Sequence, residues 1–169
     1  MAKYLLDANT LIEPYRRFYP PDLAPGFWQW LEDQFSQSLI IMPRMVFQEI
    51  KDGDELAKWV KDQASKYPTL IVDPDTSVTQ AVGTIGAFVL ANYTTEHANE
   101  FLNGGDPWLI AHGMADSQLK IITFELQQTP QRHGKTNLYQ GKVRLPFIAQ
   151  SFGVDCVNLF DVMRLTGAK

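Results

Sequence analysis

Four carboxylates stand where they could do chemistry. Asp7 interrupts the apolar run Tyr4-Leu5-Leu6-Asp7-Ala8-Asn9-Thr10-Leu11-Ile12; Glu49 falls in a helical stretch; Asp106 follows two glycines; and Glu125 ends the second apolar run, Ile121-Ile122-Thr123-Phe124-Glu125. In a parallel α/β sheet the ligand crevice lies outside the carboxyl ends of the strands, so a side chain at such an end is aimed at a substrate. Four carboxylates brought to one edge would repel each other, and the usual remedy is one or two hard divalent cations, Mg²⁺ or Mn²⁺, held by oxygens and water. Asn9 would add a neutral oxygen or orient a carboxylate. Such cations lower the pKa of a water and stabilise both the attacking and the leaving oxygen at a phosphodiester, so hydrolysis is the expected output. Each acid also has a plainer role: Asp106 before Pro107 is a good N-cap, Glu49 suits a solvent-facing helical position, and Glu125 the polar end of a strand. Only the four together point to a metal.

The elements that would position them can be read from apolar spacing and from proline and glycine. A strand ending at Asp7 feeds a short helix capped by Asn9 or Thr10 and ended by Pro20-Pro21. A second helix runs from Pro25-Gly26 through Phe27, Trp28, Leu31 and Phe35. Residues 39–42 read as a buried strand, and Pro43 as the first residue of a helix that carries Glu49 and is closed by Gly53. Asp54 caps a helix over 55–66, residues 69–72 are a strand, and Asp75 opens a long helix to about residue 93 whose Gly83 and Gly86 would admit close packing. A shorter helix spans 96–102. Asp106 and Pro107 start another, a strand covers 119–125, and residues 126–142 have loop composition, a long connection for a compact domain. A helix over 146–152, a strand over 154–157 and a helix over 158–165 complete the chain. Strands alternating with helices predict an α/β fold: one three-layer α/β/α domain over residues 1–169 with a mainly parallel central sheet.

Leu-Leu-Asp7-Ala-Asn9-Thr-Leu-Ile, Val-Phe-Gln-Glu49-Ile, Gly-Asp106-Pro-Trp-Leu-Ile-Ala-His and Ile-Ile-Thr123-Phe-Glu125 resemble the four motifs of PIN-domain nucleases, in order and spacing along nearly the whole chain. The chain is similar to the toxin halves of bacterial toxin–antitoxin pairs and looks most like an uncharacterised PIN-like branch. The resemblance implies an endoribonuclease dependent on Mg²⁺ or Mn²⁺, with Asp7, Glu49, Asp106 and Glu125 as catalytic metal ligands, Asn9 and Thr123 in support, RNA as substrate and an antitoxin protein as partner. Glu125 departs from the pattern, since the fourth position is commonly Asp, and its extra methylene bears on a second metal.

The chain has 169 residues, 45% of them hydrophobic, enough for one core, and a net charge of -4 that by itself neither favours nor excludes nucleic acid. Charge is nevertheless uneven. No acidic residue lies between Glu125 and Asp155, whereas Arg132, Lys135, Lys142 and Arg144 do, beside His133 and Tyr139; removing those four leaves eleven basic against nineteen acidic residues, a net of -8. Cations with an aromatic neighbour suit a phosphate backbone and a stacked base, so these four are the candidate RNA-binding residues, against the plainer reading of a solvated loop. A single cysteine, Cys156, excludes disulfides and a cysteine zinc site within the chain and suits the core. The absence of a long apolar span or signal pattern predicts a soluble cytoplasmic protein with no membrane partner. Apolar helix faces would suit a homodimer, though no stretch marks its interface. His97, His112 and His133 make no triad or zinc set, and His112 reads as a polar helical residue.

Two rivals remain. A haloacid-dehalogenase-like phosphatase would want a second Asp at Asn9 and an acid just beyond Asp106, where Leu109 and Ile110 stand. A catalytically silent PIN-like module would hold RNA or protein with carboxylates that only cap helices. The metal reading requires the four acids to meet at one sheet edge; Glu49 or Asp106 on the face opposite Asp7 would defeat it.

Overall fold

The computed structural model describes residues 2–50 and 54–168. Five short strands, β1 (Lys3–Leu6), β2 (Ile40–Pro43), β3 (Ile71–Val72), β4 (Leu119–Ile122) and β5 (Cys156–Val157), form one sheet of order β3-β2-β1-β4-β5. Every pairing is parallel. Among the described residues eight α-helices lie in the crossovers, α1 (Asn9–Glu13), α2 (Pro25–Ser36), α3 (Arg44–Phe47), α4 (Glu55–Lys66), α5 (Thr76–Asn92), α6 (Thr95–Leu102), α7 (Asp106–Ala115) and α8 (Leu145–Ser151), and a ninth, α9 (Leu159–Leu165), follows β5. The chain steps from β1 outward through β2 to β3, then returns to β4 on the other side of β1. Right-handed crossovers therefore put α1, α2 and α4 on one face and α5 to α8 on the other, a three-layer α/β/α fold, while α3 lies at the end of β2 against α7. α7 is the central helix of its layer, packed against α5, α8, β1, β2 and β4.

Local chemistry sets most of the boundaries. Asp54, Asp75, Thr94 and Asn158 cap α4, α5, α6 and α9 by accepting from backbone N–H groups, the first two at 2.7 and 2.8 Å. Neither Asn9 nor Thr10 caps α1. Both lie inside it, the N-cap is Ala8 with no side-chain bond, and Thr10 Oγ1 instead donates to the Asp7 carbonyl at 2.5 Å. Pro14 has no N–H for the α-helical ladder, and the backbone widens into a π-helical turn, Pro14–Phe18, closed by Tyr19 N–H to Pro14 O at 2.7 Å. Pro43 ends β2 and precedes α3 rather than starting it, and α3 is only four residues long, so Glu49 lies in the turn after it and not on a helix. Gly53, expected to close that helix, is outside the described residues. Asp106 is the first residue of α7 and not its cap, which is Gly105.

Between β4 and α8 the backbone is irregular but anchored. Arg132 and Tyr139 form an antiparallel bridge, the Arg132 guanidinium lies 3.9 Å from the centre of the Tyr139 ring, and it donates to Asn137 O at 2.6 Å and Asn92 Oδ1 at 3.2 Å. Tyr139 N–H bonds Asn92 O at 2.8 Å, and its ring packs on Tyr93 and Phe147. The connection is thus stapled to the end of α5. Cys156 is half-buried, and burial pushes its thiol up to about 12. His112 lies on α7 as expected, is buried there, and burial lowers its pKa.

The close approach expected at Gly83 and Gly86 is found instead at Gly113 of α7, where an added Cβ would lie 2.4 Å from Val154 Cγ1; Gly83 faces open space. Gly113→Ala should therefore lower stability by roughly 1–3 kcal/mol through overpacking. Gly83→Ala, at an exposed helical position, should raise it by up to about 1 kcal/mol. Urea unfolding midpoints would check both, and a Gly113→Ala protein as stable as the parent would contradict this packing of α7 against the segment entering β5.

Candidate active site

β1 is the centre of the sheet, and the chain's direction of travel reverses between β1 and β4, so their carboxyl ends open a crevice at the topological switch point. Leu6 pairs with Ile122, which puts Asp7 beside Thr123 one residue further on. Thr123 Oγ1 donates to Asp7 Oδ2 at 3.2 Å, and the Asn9 N–H donates to Asp7 Oδ1 at 3.4 Å. Asp7 and Thr123 are 5% and 3% exposed, and among the described residues one hydroxyl and one amide donor offset the desolvation of this carboxylate. Thr123 Oγ1 also accepts from the Glu125 N–H at 3.1 Å and so sets the turn that carries Glu125.

The other carboxylates arrive from separate segments. Glu49 reaches across to α7, where its Oε1 accepts from Gly105 N–H at 2.6 Å, a favourable place for a negative group at a helix start. Gly105 is required by that approach: a Cβ there would lie 2.8 Å from Val46 Cγ2 and 3.1 Å from Glu49 Oε2. Asp106 follows at the first turn of α7. Glu125 Oε2 accepts from Leu145 N–H, the first residue of α8, at 3.2 Å.

Asp7, Asn9, Glu49, Asp106 and Glu125 line one cavity of about 420 Å³. Burial pushes the Asp7 carboxyl up to about 6, with Glu125 and Glu49 adding to the rise and the Asn9 and Thr123 donors opposing it. Asp106 is pushed further, to about 8, by burial and then by the charges of Asp7, Glu125 and Glu49. Like charges that hold each other's protons on are the signature of a crowded acidic site. In kind, the donor set fits a hard divalent cation. Among the described residues, however, no three His, Cys, Asp or Glu side chains are grouped so as to hold a metal directly. One oxygen each of Glu49 and Glu125 is already taken by a backbone N–H. The fit is therefore that of Mg²⁺, which is commonly bound through one or two carboxylates and several retained waters.

The basic stretch divides. Lys142 and Arg144 line the acidic cavity, Lys142 paired with Glu100 at 2.9 Å; Arg132 and Lys135 do not line it, and Arg132 is engaged in stapling its own loop. His97, Glu100 and Phe101 of α6 also line the cavity and had no distinguishing mark in the sequence beyond their helical spacing. Gly105 had one, a glycine pair directly before Asp106.

A family model described as domain of unknown function (DUF4411) matches residues 4–169. No curated protein matches the chain significantly. Among solved structures, a chain of the DNA-bound VapBC complex from Salmonella typhimurium is similar at a TM-score of 0.50 and 16% identity, over 94% of this chain and 98% of that one. At that identity the likeness is one of fold, the PIN-like three-layer architecture.

The raised carboxyls link stability to pH. Folded Asp7 and Asp106 hold protons to about 6 and about 8, against an ordinary value of 3.8, so between those values the folded state binds more protons than the unfolded one. The contribution of these two carboxyls to the stability of the metal-free protein should accordingly be full below about pH 4 and fall as pH rises to about 8. Tm measured in chelator from pH 5 to 9 should drop by several degrees; Asp106→Asn should flatten the curve, and millimolar Mg²⁺ should lift its alkaline end. A level profile for the parent would mean that the carboxylates are not crowded.

Proposed function

We propose that the chain, which belongs to the DUF4411 family, is a metal-dependent endoribonuclease that hydrolyses RNA phosphodiester bonds, one nuclease domain acting in the cytoplasm as the toxin of a toxin–antitoxin pair. The observation that carries this reading is the cavity at the switch point, into which four separate segments bring Asp7, Glu49, Asp106 and Glu125 beside Lys142 and Arg144. A bound Mg²⁺ or Mn²⁺ would supply an activated water and neutralise charge on the phosphate. Asp7 and Asp106, deepest in the site, would hold the ion, with Glu49 and Glu125 reaching it through water. Thr123 and the Asn9 backbone keep Asp7 in place, and the N-termini of α7 and α8 keep Glu49 and Glu125. Lys142 and Arg144 sit where a phosphate backbone would enter. The resemblance of the motifs to toxin nucleases supports the antitoxin partner.

The second reading, a binding module without catalysis, draws on the lack, among the described residues, of a three-acid group placed to chelate directly. Mn²⁺ titration separates the two: stabilisation by Mn²⁺ that is lost in Asp7→Asn belongs to the enzyme.

Asp7→Asn should reduce Mn²⁺- or Mg²⁺-dependent RNA cleavage to background while Tm holds or rises, because one charge leaves a crowded site. Equal cleavage by mutant and parent would place the activity elsewhere. The basic stretch should act on affinity. Each phosphate contact contributes roughly 0.7 to the slope of log affinity against log salt for a single strand, and Arg132 and Lys142 are already engaged, so Lys135→Ala with Arg144→Ala should lower the slope by up to about 1.4. KM should rise while turnover at saturating RNA stays level. Coincident slopes would show that RNA is held by other residues.

A further inference from the structure

A cavity of about 540 Å³ lies between the π-helical turn, α2 and α4, and shares no lining residue with the acidic one. Its apolar surface is aromatic. Trp28 is buried, its indole N–H fixed to Tyr19 O at 2.8 Å, and the half-buried rings of Tyr15 and Trp59 stand against it at 84° and 82°. Neither Tyr15 nor Trp59 is stacked face to face on another ring: the one further ring contact is that of Trp59 with Phe35, at 6.0 Å and tilted by 44°. Among the described residues no cation of the chain covers either ring. Three acids, Asp22, Glu55 and Asp62, and one cation, Lys58, line the same cavity. Lys58 is paired with Glu55 at 2.8 Å, which leaves the exposed Asp22 and Asp62 without a bonded partner among the described residues.

Rings and free acids ask two things of an occupant, apolar contact and positive charge. A hard metal ion meets only the second, and among the described residues no three acids are grouped to hold one. A guanidinium meets both, because it is planar, weakly hydrated and permanently charged, stacks on an aromatic face and forks onto a carboxylate. We propose that this cavity is the seat of an arginine side chain presented by a partner protein, its guanidinium against Tyr15 and Trp59 and its N–H groups on Asp22 and Asp62. A protein, and not a free small cation, is the source because apolar surface continues past the rim: Leu23, directly after Asp22, is 79% exposed and would be covered by the residues that flank the arginine. The site is independent of the ribonuclease reading, since no residue of the acidic cavity takes part in it.

The test titrates the full chain with an amidated pentapeptide that carries arginine between two leucines, following the indole N–H resonances of Trp28 and Trp59 by NMR. Both should shift saturably. Tyr15→Leu, and Trp59→Leu followed at Trp28, should each weaken binding roughly two- to thirty-fold, the range of one cation–π contact. Asp22→Asn with Asp62→Asn, at exposed positions, should weaken it too and remove most of its salt dependence, whereas Asp7→Asn in the other cavity should leave it unchanged. Citrulline in place of arginine keeps the shape without the charge and should abolish the shifts; this arm leaves the protein unaltered and so is immune to misfolding of a variant. Lysine in that place should bind less tightly, its ammonium being more strongly hydrated. Agmatine, the same head group without a peptide, should also bind less tightly. A citrulline peptide that binds as well as the arginine one overturns recognition of a cation, and agmatine that binds as tightly as the peptide overturns the protein source. Indole resonances that do not move, or peptide binding that Asp7→Asn abolishes, overturn the site altogether.

Discussion

The parallel pairing of β1 with β4 is the constraint on which the rest depends. With Leu6 opposite Ile122, the next residues of each strand emerge together at the point where the chain's direction across the sheet reverses, and the Thr123 hydroxyl can reach the Asp7 carboxylate. A register shift of one residue would exchange the faces on which these side chains stand. The register is held by the apolar residues themselves: Leu5, Leu6, Ile121 and Ile122 are all fully buried.

That arrangement opposes folding in one respect. Two carboxyls are taken from water and surrounded by further negative groups, which is why their protons are retained. Fixed donors hold three of the four acids: the Thr123 hydroxyl and the Asn9 N–H hold Asp7, and N–H groups at the starts of α7 and α8 hold Glu49 and Glu125. Donors of this kind hold a carboxylate's direction without neutralising it. Gly105 belongs to the same design, since only a residue without a side chain lets Glu49 approach α7 so closely.

The basic face is built by different means. Arg132 stacks on Tyr139 and bonds Asn92 and Asn137, which spends its guanidinium on shape. In return an irregular stretch of more than a dozen residues becomes a fixed wall beside α6. A charge count therefore overstates what the loop has free to offer a phosphate.

Much was legible in the order of residues alone. Apolar runs broken by proline, glycine and capping side chains determined an alternating α/β chain and hence a parallel sheet, because burial and helix-end hydrogen bonding are local needs met by local residue types. Asp7 was marked by its place at the end of an apolar strand, and Glu49, Asp106 and Glu125 by their likeness to known motifs. What remained for the tertiary structure was everything that depends on distance between segments remote in the chain. That Glu49 sits in a turn, that Asp106 starts α7 instead of capping it, that Lys142 and Arg144 reach the acidic cavity while Arg132 and Lys135 do not, and that His97 lines the same cavity are outcomes of packing. Helical periodicity says which side of a helix is apolar, but what meets its other side is decided by the sheet order and by the loops that cross it, and neither is encoded in any one stretch.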